Sequence, residues 1–251
     1  MTSRVALVTG TSSGVGAATA RALVARGWTV VGASRRPAAI DSPLYTHVTI
    51  DLADVRALPD AFPPAVSPIL ASRRWDRMAL VNNAARADLL MPLERLAPSD
   101  VLDMFALNTV APIWLMGFIA RHAPRDTVLR IVNVSTGGAV TAYPGLTAYC
   151  ASKAALRMAG QVFATELDSS VREPPGPRDT AVLSYQPGTV DTPMQTAARS
   201  LDAETFPWSQ LFRDFHSRGL LVDPAEPASE IVSFLESASA PRLTERRLGA
   251  Q

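Results

Sequence analysis

Tyr149 and Lys153 stand four residues apart in the alanine-rich stretch TAYCASKAA, residues 147–155. In a helix, this spacing places both side chains on one face. A phenol has a pKa of about 10, which is too high for an efficient proton donor at neutral pH. An ammonium held nearby stabilises the phenolate and lowers that pKa. The pair therefore predicts acid–base chemistry, such as protonation of a carbonyl oxygen whose carbon receives a hydride.

A glycine-rich loop, TGTSSGVG, spans residues 9–16 and follows the apolar stretch RVALVTG. Glycine lets the backbone turn tightly and approach a pyrophosphate, whose charge is met by the N-terminus of the next helix. The spacing is G-x-x-x-G-x-G rather than the common dinucleotide fingerprint, and a simple turn is the alternative. A phosphate-loop NTPase is excluded because no Gly-Lys-Ser/Thr follows. The residues predicted to bind a cofactor here are Gly10, Ser12, Ser13, Gly14, Val15 and Gly16.

The segment GASRRP, residues 32–37, favours NADP(H) as the cofactor. An acidic residue after the second strand would bind the ribose 2′-OH of NAD, but no acid lies between Gly27 and Asp41. Ser34 and Arg35 suit a 2′-phosphate, through a hydroxyl hydrogen bond and a forked charge-assisted pair. Surface arginines are the alternative, and they leave the missing acid unexplained.

Short β-branched stretches alternate with longer Ala- and Leu-rich ones, which predicts a parallel sheet with crossover helices in one domain, residues 1–251. Residues 58–70 contain several prolines and predict an irregular helix-loop, while residues 171–179 predict a surface loop. The predicted strands are residues 4–10, 28–34, 44–51, 77–84, 129–135 and 180–187. The predicted helices are residues 16–26, 99–122, 149 to about 169, and 224–237.

Composition and charge limit the classes of protein. The formal net charge of +1 argues against a large nucleic-acid-binding surface. The longest apolar run, residues 110–120, is too short for a membrane span, which needs about 20 residues. One cysteine, Cys150, permits no intrachain disulfide, which fits a reducing compartment. We expect a cytoplasmic protein that binds neither nucleic acid nor membrane, and no metal site, because the three histidines lack ligand spacing.

Six motifs in chain order resemble the short-chain dehydrogenase/reductase family, over residues 4–194. They are TGTSSGVG, NNAA (82–85), Asn108, Ser135, YCASK (149–153) and PGTVDTPM (187–194). The resemblance implies a Rossmann-type doubly wound parallel sheet of order 3-2-1-4-5-6, with a possible short seventh strand. It implies that Asn108, Ser135, Tyr149 and Lys153 form the catalytic set. Ser135 would polarise the substrate carbonyl, Lys153 would hold the nicotinamide ribose, and Asn108 would hold a water in a proton relay.

The resemblance also implies cofactor contacts beyond the glycine loop. Asp51 and Leu52 match the pair that flanks the adenine, and Asn83 and Ala84 match the turn along its ribose. The family's usual Asn-Ala-Gly is Asn83-Ala84-Ala85 here, and the extra methyl group of Ala85 is expected to alter slightly the approach of this turn to the ribose. The loop beside the nicotinamide matches Pro187, Gly188, Val190 and Thr192.

Residues 195–223 are expected to cover the substrate, and four aromatic residues give this segment an apolar character suited to a planar substrate. The alternative is that some of them anchor the segment to the body of the protein. These aromatic residues are Phe206, Trp208, Phe212 and Phe215. The predicted substrate-binding residues are Ser135, Thr136, Tyr149, Gly188, Met194 and Trp208.

Within the family, the chain is most similar to sepiapterin reductases and benzil reductases, through LYTHVTIDLAD (44–54), VDTPMQTAAR (190–199) and GLLVDPAEPA (219–228). The resemblance implies NADPH-dependent reduction of a vicinal diketone. Sepiapterin reductases carry an aspartate in a terminal strand. Here no aspartate follows Asp223, and a closing strand is not evident in LTERRLGAQ, so pterin binding is in doubt.

Other functions remain open. Alcohol oxidation would use the same site, a non-catalytic NADP(H)-binding regulator would share the fold, and an extended-type epimerase would share the tyrosine and lysine. Trp114 and Phe118 lie four residues apart and are predicted to be core or subunit interface rather than substrate contacts. In the resembling family, the helix that carries them and the Tyr149 helix often form a dimer interface. We therefore expect a homodimer or a homotetramer.

Overall fold

The computed structural model describes residues 2–167, 179–206 and 208–250. Its centre is one sheet of seven parallel strands in the order β3-β2-β1-β4-β5-β6-β7, a single-domain α/β fold of Rossmann type. The strands are β1 (Arg4–Thr9), β2 (Thr29–Ser34), β3 (Tyr45–Thr49), β4 (Arg77–Asn82), β5 (Val128–Val134), β6 (Asp179–Gln186) and β7 (Leu243–Arg247). The predicted sheet order is confirmed, and the six predicted strands end within two residues of their predicted bounds.

Two helical layers cover the sheet. The helices are α1 (Gly14–Ala25), α2 (Leu58–Ala71), α3 (Pro98–Phe105), α4 (Ala111–His122), α5 (Thr147–Glu166), α6 (Pro193–Ser200), α7 (Ser209–Ser217) and α8 (Ala225–Glu236). Apolar side chains of α1 and α8 pack on one face of the sheet, and those of α2, α4 and α5 pack on the other. Central strands are therefore buried on both faces, which explains their near-continuous apolar sequences.

The short seventh strand that the family resemblance allowed is present, although no closing strand is evident in the sequence LTERRLGAQ. β7 pairs in parallel with β6, from Val182↔Leu243 to Gln186↔Arg247. Its sequence, LTERR, conceals the strand because its polar residues are used in packing: Glu245 accepts hydrogen bonds from Arg157 and Gln161 of α5. Half-buried and exposed residues alternate along the end of β7, as in other edge strands, but these residues are charged.

α2 corrects the expectation of an irregular segment at residues 58–70. It is a regular helix although Pro63, Pro64 and Pro68 lie inside it. Leu58, Phe62, Val66 and Leu70 recur every four residues, and all four are buried. Burial of this apolar stripe offsets the hydrogen bonds that the prolines cannot donate.

The predicted helix of residues 99–122 is present as α3 and α4, joined by one π-helical turn, Ala106–Val110. By length and hydropathy alone, Pro98–His122 is long enough to cross a membrane. The apolar run of residues 110–120 is therefore only part of a longer apolar helix. Half of its most apolar window is buried in the fold, as in the core helix of a folded domain. Phe118 and Trp114 were predicted to belong to the core or to a subunit interface. Phe118 is buried, Trp114 is half-buried, and both rings pack edge-on against Phe62.

The other predicted helices are confirmed with small shifts. α1 begins two residues earlier than predicted, and Gly27 follows it with a positive φ of 76°. α5 begins at Thr147, and its predicted last residues lie outside the described part of the chain, as does most of the predicted loop at residues 171–179.

At the edge of the sheet opposite the glycine loop, Arg130 of β5 is fully buried and forms a forked pair with Asp179, at 2.7 and 3.1 Å. The Asp179 side chain is 43% exposed, but removing its carboxylate leaves the buried Arg130 charge poorly compensated. We expect Asp179→Asn to lower the free energy of unfolding by about 1–3 kcal/mol in urea denaturation. Asp126→Asn is the control, since Asp126 and its partner Arg74 are both exposed, and we expect less than about 0.5 kcal/mol. Equal losses would contradict this role of burial.

Candidate active site

A cleft of about 1040 Å³ opens along the carboxyl ends of the strands. Such edges hold the ligands of open α/β sheets. Most of the predicted site residues line this cleft, although they come from eight separate stretches of the sequence. They are Gly10, Ser12, Ser13, Gly14, Val15, Ser34, Arg35, Asp51, Leu52, Asn83, Ala84, Ser135, Thr136, Tyr149, Lys153, Pro187, Gly188, Val190, Thr192, Met194 and Trp208.

Two predicted residues do not line the cleft. Gly16 is buried, and a Cβ there would lie 2.3 Å from the Asn83 amide nitrogen and 2.4 Å from the Gly10 carbonyl oxygen. Its place in the motif is therefore explained by packing between the loop and β4, and its predicted cofactor contact stays a prediction. Asn108 is likewise fully buried.

The glycine loop is locked onto the end of β4 by Asn83. The Asn83 amide donates to the Thr9 carbonyl at 2.9 Å and to the Gly10 carbonyl at 3.3 Å. Gly10 has a φ of 72°, and a Cβ there would lie 2.8 Å from the same amide nitrogen. Only glycine meets both conditions. The loop therefore presents its backbone to the cleft at the start of α1, as an anion-binding loop must.

The corner of the cleft beside β2 holds the residues predicted to read the 2′-position. The Ser34 hydroxyl donates to the Arg36 carbonyl at 2.8 Å, while the exposed Arg35 and Arg36 line the cleft. Asp51 lies after β3, and its carboxylate accepts a hydrogen bond from the Ala53 amide at 2.9 Å. The corner thus presents two guanidinium groups to a ligand, while the Asp51 carboxylate is bound to its own turn.

Lys153 is the only lysine in the sequence, and it is 2% exposed. Its ammonium donates a hydrogen bond to the Val134 carbonyl at 2.8 Å, at the end of β5. Burial lowers the pKa of Lys153 to about 8. The spacing predicted that Lys153 lies beside Tyr149. In the structure the Lys153 ammonium is buried, and the Val134 carbonyl is the acceptor that stabilises its charge.

Tyr149 lies in the cleft on the same face of α5. Burial raises the pKa of the Tyr149 hydroxyl to about 12, and a hydrogen bond with the Thr136 side chain opposes that rise. The shift is opposite to the one predicted from the Lys153 charge, because loss of solvation outweighs the other influences. Burial therefore favours the neutral form of both members of the pair.

Ser135 and Thr136 follow β5 directly. The Ser135 amide donates to the Tyr185 carbonyl at 2.6 Å, which continues the β5–β6 ladder by one residue. The Thr136 hydroxyl accepts from the Gly138 amide at 3.3 Å and caps a short 3-10 turn, Gly137–Ala139. These backbone bonds hold both hydroxyl-bearing residues beside Tyr149.

Asn108 lies in the π-helical turn between α3 and α4. Its side-chain oxygen accepts from the Arg86 amide, and its nitrogen donates to the Arg86 carbonyl, both at 2.9 Å. The same nitrogen donates to the Ser152 hydroxyl, which in turn donates to the Tyr149 carbonyl at 2.8 Å. Asn108 therefore ties the loop after β4 to the helix that carries Tyr149.

The far half of the cleft is formed by α6, α7 and the turn after β5. Trp208, Phe212 and Phe215 line it, and Trp208 packs edge-on against Tyr143 at 6.1 Å. Phe206 is fully buried in a separate small core instead. Both predicted uses of these aromatic residues are thus present, three on the cleft and one as an anchor.

The cleft also contains polar side chains that were not predicted. Gln195 is 3% exposed, and neither its amide nitrogen nor its oxygen has a hydrogen-bond partner within the described residues. Arg247, at the end of β7, and Tyr143 also line the cleft. The tyrosine and glutamine lie close to recognised motifs, while Arg247 could only be placed by recognising β7.

The chain belongs to the short-chain dehydrogenase family: the model of that family, described as short chain dehydrogenase, matches residues 4–202. The similarity to benzil reductases is confirmed, since the chain is 30% identical over 237 residues to a benzil reductase ((S)-benzoin forming) of Bacillus subtilis strain 168, covering 93% of each. It is 36% identical over 208 residues to an L-xylulose reductase of Bos taurus, covering 78% of this chain and 76% of the relative. A sepiapterin reductase of Xenopus laevis is 30% identical over 165 residues, covering 64% of this chain and 59% of the relative.

Solved structures agree with the fold. A short-chain dehydrogenase from Streptomyces avermitilis superposes with a TM-score of 0.74 at 28% identity, covering 99% of this chain and 88% of that one. The family and the cleft geometry together support a nicotinamide cofactor, because the glycine loop, the β2 corner and the nicotinamide loop lie along one continuous cleft.

The depressed pKa of Lys153 makes a prediction about stability. Unfolding returns the ammonium to water, where its pKa is 10.5, so the unfolded chain binds more protons between about pH 8 and 10.5. Burial of this charge therefore costs stability below pH 8, and the cost declines as pH rises through that window. We expect Lys153→Met to raise the free energy of unfolding at pH 7 by about 1–3 kcal/mol, and by less at pH 10.

Urea unfolding at the two pH values measures this difference. Because the sequence has one lysine, ¹⁵Nζ-lysine labelling gives a single side-chain signal whose titration reports its pKa directly. A midpoint near 10.5, or a loss of stability in Lys153→Met at pH 7, would contradict the burial argument.

Proposed function

We propose that this protein is an NADPH-dependent carbonyl reductase that transfers hydride to a ketone, with vicinal diketones as its substrate class. The observation that carries the proposal is the meeting of Tyr149, Lys153 and Ser135 in one cleft with the glycine loop. The benzil reductase relative supports the substrate class, because the similarity extends over 93% of both chains, including the segment that covers the cleft.

In this mechanism NADPH supplies the hydride, and the protein supplies the proton and the alignment. The Ser135 hydroxyl donates a hydrogen bond to the ketone oxygen and polarises the carbonyl. The Tyr149 hydroxyl donates the proton to the same oxygen as charge develops there. Thr136, which hydrogen-bonds Tyr149, orients that hydroxyl.

Lys153 and Asn108 support Tyr149 without contacting the substrate in this mechanism. A protonated Lys153 stabilises the phenolate that remains after proton transfer, and its own pKa of about 8 lets it exchange protons near neutral pH. Asn108 positions α5 through Ser152, because its amide groups are bound to Arg86 and Ser152. A water relay from Asn108 to Lys153 remains a prediction.

The proposed preference for NADPH rests on the β2 corner. Ser34, Arg35 and Arg36 lie there, and the carboxylate of Asp51 is engaged by the Ala53 amide. A 2′-phosphate would meet two guanidinium groups, whereas a 2′-OH would find no acidic residue on the β2 side. A preference for NADPH in turn favours reduction over alcohol oxidation.

A vicinal diketone suits the far half of the cleft. Three aromatic side chains provide apolar surface for a substituent. A purely binding role is the weaker candidate, because the whole acid–base set is present in the cleft.

The expected subunit arrangement is also a proposal. Val110 and Ile113 by α4, and Met158 and Val162 on α5, are 42–54% exposed although they are apolar. A homodimer through these helices, or a tetramer built from such dimers, would cover them. Cytoplasmic location is proposed on the single cysteine alone.

The first test of function is NADPH oxidation with benzil, 1-phenyl-1,2-propanedione and sepiapterin as parallel substrates. Turnover of the two diketones with NADPH, and much less with NADH, is the expected result. No turnover of any ketone, with NADPH binding intact, would overturn the proposed reaction. Efficient turnover of sepiapterin alone would replace the diketone with a pterin side chain as the substrate class.

Replacing Tyr149 with Phe removes the proposed proton donor while leaving the ring in place. We expect Tyr149→Phe to lower kcat for benzil by at least about 10²–10⁴-fold, the range of general acid catalysis, with little change in NADPH affinity. Fluorescence titration measures the affinity. Tyr143→Phe is the matched control, because it removes the same atom from another tyrosine of the cleft, and less than a tenfold loss is expected. Similar losses in both variants would refute the role of Tyr149.

Replacing Arg35 tests whether its side chain binds the 2′-phosphate of NADPH. Charge-assisted hydrogen bonds contribute about 1.5–3 kcal/mol, so we expect Arg35→Ala to weaken NADPH binding about 10- to 100-fold and NADH binding by less than about threefold. Arg21→Ala, on the exposed side of α1, serves as a charge-matched control. An equal loss for the two cofactors would show that Arg35 does not contact the phosphate.

A further inference from the structure

Arg247 lies in the same row of the sheet as Ser135. Val134 pairs with Tyr185, and Tyr185 pairs with Arg246; one residue further along, Gln186 pairs with Arg247. Ser135, Gln186 and Arg247 therefore follow one another across β5, β6 and β7. With adjacent strands about 4.8 Å apart, the Cα atoms of Ser135 and Arg247 are separated by roughly 10 Å.

The same register decides the face on which Arg247 lies. Val134 and Tyr185 pack on the α1–α8 side of the sheet, so their successors belong to the opposite side, which carries α5. Glu245, two residues before Arg247 and on the same face, confirms this with hydrogen bonds of 2.7 Å from Arg157 and 2.9 Å from Gln161. Arg247 is thus on the Tyr149 side.

The height of Arg247 along the sheet also matches the reacting groups. Two residues of a strand rise about 6.6 Å, and one turn of four helical residues rises about 6 Å. Glu245 accepts a hydrogen bond from Arg157. Arg247 is two residues nearer the cleft than Glu245, and Lys153 is one helical turn nearer than Arg157, so Arg247 and Lys153 lie at the same height along the sheet. A substrate oxygen held by Tyr149 and Ser135 would have Arg247 beside it rather than below it.

The charge of Arg247 is uncompensated within the described part of the chain. Its side chain is exposed, lines the cleft, and has neither an ion pair nor a hydrogen bond there. In the same half of the cleft the Lys153 ammonium is bound to the Val134 carbonyl, and the side chains of Trp208, Phe212, Phe215 and Gln195 are uncharged. Arg86, nearer the cofactor half, is neutralised by a forked pair with Asp88.

The cofactor phosphates do not account for this arginine. The predicted pyrophosphate site is at β1, and the predicted 2′-phosphate site is at Ser34 on β2. In the sheet order, β7 is five strands from β2. At about 4.8 Å for each strand, Ser34 and Arg247 are roughly 24 Å apart. An anion that reaches Arg247 must therefore belong to the substrate.

We propose that Arg247 binds a carboxylate of the substrate, and that the ketones this enzyme reduces best carry a carboxylate a few atoms from the reacting carbonyl. The guanidinium fork matches a carboxylate with two parallel hydrogen bonds. An extended arginine side chain covers much of the distance to Ser135, which leaves room for a short spacer lined by the aromatic residues. This inference rests on the proposed reductase function and narrows its substrate class.

The test compares an acid with its own methyl ester, so that charge changes and shape is nearly kept. The substrates are 4,5-dioxo-5-phenylpentanoate, a vicinal diketone with a carboxylate two methylene groups from it, and its methyl ester. Each is reduced with NADPH, and the measured quantity is the acid-to-ester ratio of kcat/KM. We expect Arg247→Met to lower this ratio about tenfold, mainly through the KM of the acid, and Arg247→Lys to lower it less. Added salt should lower the ratio in the wild-type enzyme.

Arg246→Met is the matched control. Arg246 is the preceding residue of β7 and lies on the opposite face of the sheet, so the same net charge is removed without changing the cleft. Its acid-to-ester ratio should equal that of the wild type. Thermal unfolding of all variants checks that truncation of an exposed side chain leaves the fold intact.

The outcomes separate this inference from the proposed function. If the ester is reduced and Arg247→Met leaves the ratio unchanged, the inference is wrong and the reductase function stands. Equal loss on both substrates would make Arg247 a ligand of neutral oxygens and would also overturn the carboxylate assignment. If neither these ketones nor benzil is reduced by the wild type, the proposed function itself fails.

Discussion

The hydrogen bond from the Lys153 ammonium to the Val134 carbonyl fixes how α5 sits against the end of β5. A buried ammonium needs acceptors in place of water, and here one backbone carbonyl supplies the bond. Because Val134 immediately precedes Ser135, the bond also places Tyr149, one turn away on α5, beside Ser135 and Thr136. The active-site geometry therefore follows from an unfavourable burial, an arrangement that is common where function sets the position of a charge.

A steric constraint fixes the other half of the cleft. Gly10 and Gly16 leave room for the amide of Asn83, which bonds the carbonyls of Thr9 and Gly10. The Asn83 and Ala84 backbone amides in turn donate to the Thr9 hydroxyl at 2.9 and 3.0 Å. The ends of β1 and β4 are thus one unit. The glycine loop and the asparagine motif, far apart in the sequence, are two halves of one contact.

These two contacts explain what could be predicted from sequence. The strands and the cofactor residues lie in short contiguous motifs at strand ends, where a parallel sheet brings them together whatever lies between. β7 was expected only from the family resemblance. Its sequence pattern does not show it, because Glu245 and Arg246 occupy positions where apolar residues were sought, and their contacts with α5 and near Tyr185 are tertiary. Residues 58–70 were predicted to be irregular because their prolines are a stronger local signal than the apolar repeat every four residues. The raised pKa of Tyr149 depends on burial, which no spacing of residues reveals.

The substrate half of the cleft follows different rules from the cofactor half. Its lining comes from single side chains on the turn after β5, on α6, on α7 and at the end of β7, and no contiguous motif contains them. A change at one such position alters the shape or charge of the site without disturbing the sheet. The chain is accordingly similar over most of its length to relatives named as reductases of different compounds, benzil and L-xylulose. A charged residue among mostly uncharged lining residues is expected to alter substrate preference strongly, because its desolvation must be matched by the ligand.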